Sequence, residues 1–129
     1  MQEVYDFLKK CGTYYLATAE GDQPRVRPFG TVDLFEGKIY IQTGKGKDVF
    51  AQASGKKAEL CAFDGKQWLR VAATLVDDDR VEAKTHMLDA YPHLKDRYDP
   101  NDPNTAVLYL KDAVATFSSF TAPVRTVTF

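Results

Sequence analysis

Three short turn signals, each between runs rich in aromatic and β-branched residues, constrain this chain most: Glu20-Gly21-Asp22, Glu36-Gly37-Lys38 and Asp64-Gly65. Turns of this kind join antiparallel neighbours, because Gly, Asp and Asn accept the positive φ values that tight hairpins need. The runs around them predict strands over Tyr14 to Thr18, Arg25 to Val32, Ile39 to Thr43, Lys57 to Phe63 and Gln67 to Val76. Pro28 cannot donate to a ladder, so the second strand is expected at an edge or to be irregular.

The remaining segments dress this sheet. Val4, Phe7, Leu8 and Cys11 recur at helical spacing and end at Gly12, which predicts a short amphipathic opening helix. A second short helix is expected after the lysine loop Gly44-Lys45-Gly46-Lys47, with Asp48 as N-cap and Val49, Phe50 and Ala53 as its apolar face. Val81, Lys84, Leu88, Tyr91, Leu94 and Tyr98 keep a helical period that Pro92 breaks in two. After the loop Asp99 to Asn104, strands are expected over Thr105 to Leu110 and Ala113 to Phe117, with Val124 to Phe129 as a last extended piece. Six or seven short strands with peripheral helices point to an antiparallel barrel, in one domain over residues 1–129.

Composition excludes several function classes. With 17 basic against 18 acidic residues the chain has no basic field to attract nucleic acid or a membrane surface, so any anion site must be local. No run reaches the roughly 18 apolar residues of a membrane span, and the charged N-terminus lacks the apolar core of a signal peptide. A cytoplasmic, soluble protein is expected, with Cys11 and Cys61 as reduced, packed thiols. His86 and His93 have no partner at metal-ligand spacing, so no metal site is expected. There is no GxSxG elbow, HExxH helix or Cys/His pair to suggest a nucleophile, and no catalytic side chain is assigned.

Three segments carry possible binding chemistry. In Gln42-Thr43-Gly44-Lys45-Gly46-Lys47-Asp48 a strand runs into a glycine-containing loop that opens a helix, where backbone N–H groups and Lys45 and Lys47 suit a phosphate. The loop lacks Walker A spacing, and a solvated lysine turn is the plainer reading. Arg25 and Arg27 occupy alternate positions before Pro28 and Phe29, so both point one way, and the Glu36-Gly37 hairpin is expected to bring this strand beside Ile39 to Thr43. Trp68 can wall a flat ligand and Arg70 can touch its polar edge, although a core tryptophan beside a surface arginine is the commoner pattern.

The order of these pieces, from the opening helix through Ala17-Thr18, Arg25-x-Arg27-Pro28-Phe29, Ile39-Tyr40-Ile41-Gln42-Thr43 and the lysine loop to Trp68-Leu69-Arg70-Val71, resembles the pyridoxamine-5′-phosphate-oxidase-like, FMN-binding split-barrel family along essentially the whole chain. The resemblance implies a mainly β, six-stranded antiparallel split barrel that dimerises, with two FMN sites shared at the interface. It implies phosphate contacts from Arg27 and Lys47, with Arg25 and Lys45 as weaker candidates, and ring or ribityl contacts from Gln42 and Thr43. Pro28 and Phe29 would lie along the ring, with Trp68 or Arg70 supplied by facing strands. The lysine loop is shorter and richer in glycine than the family's Thr-Asn-x-x-Ser-Arg-Lys pattern. The chain also stops at Phe129, without the Trp- and Arg-rich tail of the vitamin B6 oxidases, so pyridoxamine phosphate oxidation is not expected. The expected activity is FMN-dependent oxidoreduction of a small molecule, in which the cofactor supplies the chemistry. The alternatives are a non-catalytic FMN carrier or sensor, or a split barrel using a deazaflavin or haem.

Overall fold

Residues Gln2–Cys11 form α1, whose inner face is buried through Val4, Phe7 and Leu8. Gly12 ends it at φ 75°, and its N–H closes the last turn on the Leu8 carbonyl. The computed structural model describes all 129 residues and continues into a sheet of eight strands, every ladder antiparallel. The strands are β1 (Tyr14–Glu20), β2 (Gln23–Phe29), β3 (Asp33–Phe35), β4 (Lys38–Gly44), β5 (Lys57–Phe63), β6 (Gln67–Asp77), β7 (Thr105–Ser119) and β8 (Arg125–Thr128). Helix α2 (Asp48–Ala53) links β4 to β5. Helix α3 (Val81–Ala90) and the 3₁₀ turn Pro92–Asp96 link β6 to β7. Lys47, not Asp48, takes the N-cap position of α2, so the Asp48 carboxylate lies in the first turn, where it favours the helix dipole.

The spatial order β2-β1-β5-β6-β7-β4-β3, with β8 on the far half of β7, puts β2 and β3 at the two edges. Pro28 therefore sits on an edge strand, as its missing N–H requires. Two expectations about the strands are corrected. Thr105–Ser119 is one strand, because Asp112 adopts φ 52° and the β6–β7 register shifts between Ala72 and Thr74. The bulge bends the ladder without ending it, so one half of β7 pairs with β4 and the other with β8. Second, β2 pairs with β1 and not with β4; the Glu36-Gly37 turn, with both residues at positive φ, joins β4 only to the three-residue β3.

A core of 22 residues lies inside the curved sheet, with Leu16, Ile39, Ile41, Leu60, Leu69 and Leu108 essentially inaccessible. On the outer side, the register aligns Pro28, Tyr15, Cys61, Arg70 and Thr116 in one row across five strands. A neighbouring row runs Val26, Ala17, Glu59, Ala72, Val114. No helix of the structure is long and apolar enough to cross a membrane.

Candidate functional site

The barrel stays split where β3 is too short. It covers only Lys38 to Tyr40 of β4, so the edge from Ile41 to Gly44 has no strand beside it. The connection Gly30-Thr31-Val32 passes along this gap and is fixed from several sides. The Gln42 N–H donates to Thr31 Oγ1 at 3.1 Å, and the buried Tyr14 hydroxyl donates to the Thr31 carbonyl at 2.6 Å. The Tyr91 hydroxyl accepts from the Val32 N–H and donates to the Val32 carbonyl, both at 3.0 Å, and accepts from Lys9 Nζ at 2.9 Å. Burial pushes the Tyr14 hydroxyl pKa well up, which keeps this donor protonated.

A cleft of about 280 Å³ opens along the split. One wall is Arg27 to Thr31, at the end of β2; another is Gln42, Thr43, Lys47 and Val49; the third is Leu94, Arg97 and Tyr98, from the end of the 3₁₀ turn. Three of these residues are cationic and none is acidic, in a chain whose net charge is −1. Lys47 and Arg97 form no ion pair and no side-chain hydrogen bond within the protein, and the Thr43 hydroxyl and the Gly30 and Thr31 N–H groups are equally uncommitted. Arg27 is anchored only by neutral oxygens: Nη1 donates to the Leu16 carbonyl at 3.1 Å and to Thr18 Oγ1 at 2.7 Å, and Nη2 to Gln52 Oε1 at 2.7 Å. Burial, and then the neighbouring Arg25, lower its pKa, yet a guanidinium starting this high stays charged. The arrangement is a cationic cleft of a chemistry that suits an anion, with an apolar strip, Pro28, Phe29, Val49 and Leu94, beside it.

Of the residues expected from sequence, the fold brings together Arg27, Pro28, Phe29, Gln42, Thr43 and Lys47. It draws the other four away. Arg25 points as Arg27 does but is held by Glu20, 2.9 Å from its carboxylate. Lys45 is paired with Asp79 at 2.8 Å and lies 4.0 Å from Asp77, and the Asp79 contact raises its pKa. Trp68 and Arg70 stand on the outer face of β6, away from this cleft, and Trp68 packs on Phe120 with ring centroids 5.2 Å apart. The backbone of the lysine loop is not the expected phosphate cradle either. Its N–H groups are taken internally: Lys45 by the Asn104 carbonyl at 2.7 Å, Gly46 by Asn104 Oδ1 at 2.8 Å and Lys47 by the Gly44 carbonyl at 3.0 Å. Gly44 fits this closure tightly, since a Cβ there would meet Asn104 Nδ2 at 3.0 Å and the Tyr98 hydroxyl at 3.3 Å, so those side chains would have to give.

Sequence reasoning missed Arg97 and Tyr98, as well as Gly30 and Thr31. Leu94 and Tyr98 were visible as periodic positions, but nothing local distinguishes Arg97 from a surface arginine. It reaches the cleft only because Pro92 stops α3 and the 3₁₀ turn folds the chain back, so that Arg97 and Tyr98 donate their N–H groups to the Leu94 carbonyl.

The architecture is that of the pyridoxamine-5′-phosphate-oxidase-like split barrels. No family model and no curated protein matches the sequence, whereas solved structures do. A pyridoxamine 5′-phosphate oxidase-related, FMN-binding protein from Nostoc punctiforme aligns over 99% of this chain and 93% of its own, at TM-score 0.64 and 16% identity. A haem-binding protein from Mycobacterium smegmatis aligns over 98% of this chain and 56% of its own, at TM-score 0.71 and 15% identity. A NimC/NimA family protein from Clostridium acetobutylicum is 43% identical and aligns over all of this chain and 92% of its own, at TM-score 0.95. The chain belongs to the NimC/NimA family.

Proposed function

We propose that the chain binds FMN in the split of its barrel and acts as a flavin-dependent oxidoreductase on a small molecule. The observation that carries this reading is the cleft's lining: three cations without a carboxylate, next to an apolar strip and uncommitted neutral donors. A phosphate ester on a flat polar ring needs that combination, and a free phosphate does not need the strip. Arg27, Lys47 and Arg97 would hold the phosphate. Thr43 and the Gly30 and Thr31 N–H groups would meet the ring's carbonyl and nitrogen edges, with Pro28 and Phe29 against its face. When bound, FMN supplies electron or hydride transfer, and these residues orient it and exclude water on one side. Haem fits the lining less well, because it contains no histidine, cysteine or methionine, and Tyr98 is its one side chain of a kind that ligates haem iron.

The reading extends to a homodimer. The cleft is open, and the outer sheet face exposes Tyr15, Val26, Phe63 and Val114. The charges within its two central rows are Glu59 and Arg70, of opposite sign, which suits a two-fold pairing in which Glu59 of one copy meets Arg70 of the other. Such a face would also put Trp68 and Arg70 at a shared boundary, where the family resemblance expects them.

The test is an absorbance spectrum of purified protein, then FMN titration of the apoprotein and of the Arg27→Ala, Lys47→Ala double variant, with sedimentation of the wild type and Arg70→Glu. Flavin bands, micromolar or tighter affinity lost in the double variant, and a dimer dissociated by Arg70→Glu are expected. A colourless protein indifferent to FMN would overturn the cofactor reading, and a monomer carrying tightly bound FMN would overturn the shared site.

A further inference from the structure

Arg27 has five N–H hydrogens, and their use can be counted. Nη1 donates both of its own, to the Leu16 carbonyl and Thr18 Oγ1, and Nη2 donates one to Gln52 Oε1. Thr18 Oγ1 in turn donates to the same Gln52 oxygen at 2.8 Å, so these two acceptors sit side by side across the Nη1/Nη2 end of the guanidinium. The hydrogens left over are on Nε and on the other side of Nη2. They lie parallel along one edge, the two-toothed fork that matches a pair of phosphate or carboxylate oxygens.

Gln52 keeps the fork in that register. It is buried on α2 and does not line the cleft. Its amide orientation is fixed chemically: Nε2 donates to Glu20 Oε2 at 3.3 Å, while Oε1 accepts from Arg27 and Thr18. A carboxylate can only accept and a guanidinium can only donate, so a flipped amide would face both with the wrong atoms. Glu20 is itself held through Oε1 by Arg25, at 3.2 Å from Nε and 2.9 Å from Nη2. Arg25 thus acts through Glu20 and Gln52 on Arg27. A neutral anchor matters as much as a placed one, because a carboxylate at position 52 would fix Arg27 and cancel its charge.

We infer that Gln52 is a positioning residue for anion recognition, holding the Nε/Nη2 edge of Arg27 toward the cleft without neutralising it, and so sets the preference for a phosphorylated ligand. The inference rests on the FMN reading. FMN and riboflavin differ only by the phosphate, so the dissociation constants of both, measured by flavin fluorescence for wild type, Gln52→Met, Gln52→Glu and Thr18→Val, isolate the phosphate's share. Wild type is expected to prefer FMN by at least about tenfold; Gln52→Met lowers that ratio by about tenfold and Gln52→Glu lowers it further, with riboflavin affinity unchanged. Thr18→Val moves the ratio the same way by a smaller factor and serves should a position-52 variant fail to fold. Equal loss of both flavins, or an unchanged ratio, would show that Gln52 merely supports the fold and would overturn the inference while leaving the FMN reading intact. Equal wild-type affinity for the two flavins would also overturn it. Binding of neither flavin by wild type would overturn the FMN reading itself.

Discussion

Two basic segments of this chain are built alike in sequence and end up alike in the fold, but by different physics. Each has two cations at alternate positions, Arg25 and Arg27 on β2 and Lys45 and Lys47 after β4. In each, the first is matched to carboxylates, Glu20 for Arg25 and Asp79 with Asp77 for Lys45, and the second is left for the cleft. The difference lies in what holds the remaining cation. Arg27 is pinned by three neutral acceptors, whereas the Lys47 ammonium has no hydrogen-bonding partner within the protein. Charge in a sequence therefore announces an anion site only after its counter-ions are known. Pre-organisation separates the two survivors: Arg27 loses little further freedom on binding, and Lys47 must order its side chain.

The largest effect is expected where pre-organisation is greatest. Arg27→Ala removes a two-toothed, charge-assisted contact and leaves Thr18, Gln52 and the Leu16 carbonyl without their donor, so FMN affinity should fall by about 100-fold or more. Arg27→Lys, which keeps the charge and loses the fork, should recover only part of it. Equal affinities for Arg27→Lys and wild type would mean that charge alone matters, and the contrast with Lys47 would disappear. Lys47→Ala and Arg97→Ala should each cost about tenfold in FMN affinity by the same titration, since each removes one flexible charge.

These positions also mark what the sequence could and could not tell. The turns were legible because their chemistry is local: Gly21, Gly37 and Gly65 all take positive φ, and the Asp64 side chain caps its own hairpin by accepting from the Lys66 and Gln67 N–H groups. The partners those turns join were legible with them, β1 with β2 and β5 with β6, but the expected approach of β2 to β4 was not, since it depends on the shortness of β3, a property of the whole sheet. The division of β7 was misread for a related reason. Lys111-Asp112 looks like a turn, and Asp112 does adopt turn-like φ, but β6 supplies enough partners on both sides to carry the strand through. The lysines of the loop were visible and Asn104, which accepts from the Lys45 and Gly46 N–H groups across a long stretch of chain, was not.

The matched member of the lysine pair can be separated by acid. The Lys45 and Lys84 ammonium groups beside Asp79 hold its carboxyl down at about 2, from an ordinary value of 3.8. A depressed folded pKa means that the contribution to stability is complete above about pH 4 and is lost as pH falls toward 2. Denaturant midpoints measured at pH 7 and in steps down to pH 2 should therefore drop in this window. Asp79→Asn should start lower at pH 7 and drop less steeply. Asp78, held at about 2 by Arg80 and the Tyr40 hydroxyl, contributes in the same window and leaves a residual slope in that variant. An identical acid limb for Asp79→Asn and wild type would mean that the Lys45 pair adds nothing to the loop.

The smallest effects are expected at the matched cations themselves. Arg25 and Lys45 are both at the surface and paired, and exposed ion pairs contribute about 0–1 kcal/mol. Lys45→Ala leaves Asp79 with Lys84, 2.9 Å away, and leaves the loop's backbone closed on Asn104. FMN affinity should therefore change by no more than about twofold, the screening of a distant charge. Arg25→Ala reaches Arg27 through the Glu20–Gln52 relay, which Gln52 keeps by its own contact with Glu20, and through a like-charge repulsion that the paired Glu20 offsets, so its effect should be similarly small. The informative result is the pattern across all four positions. If Lys45→Ala or Arg25→Ala cost as much as Lys47→Ala, the carboxylates beside them would not be withdrawing them from the cleft. Anion recognition would then follow the total charge of the two segments rather than the geometry that selects one cation from each.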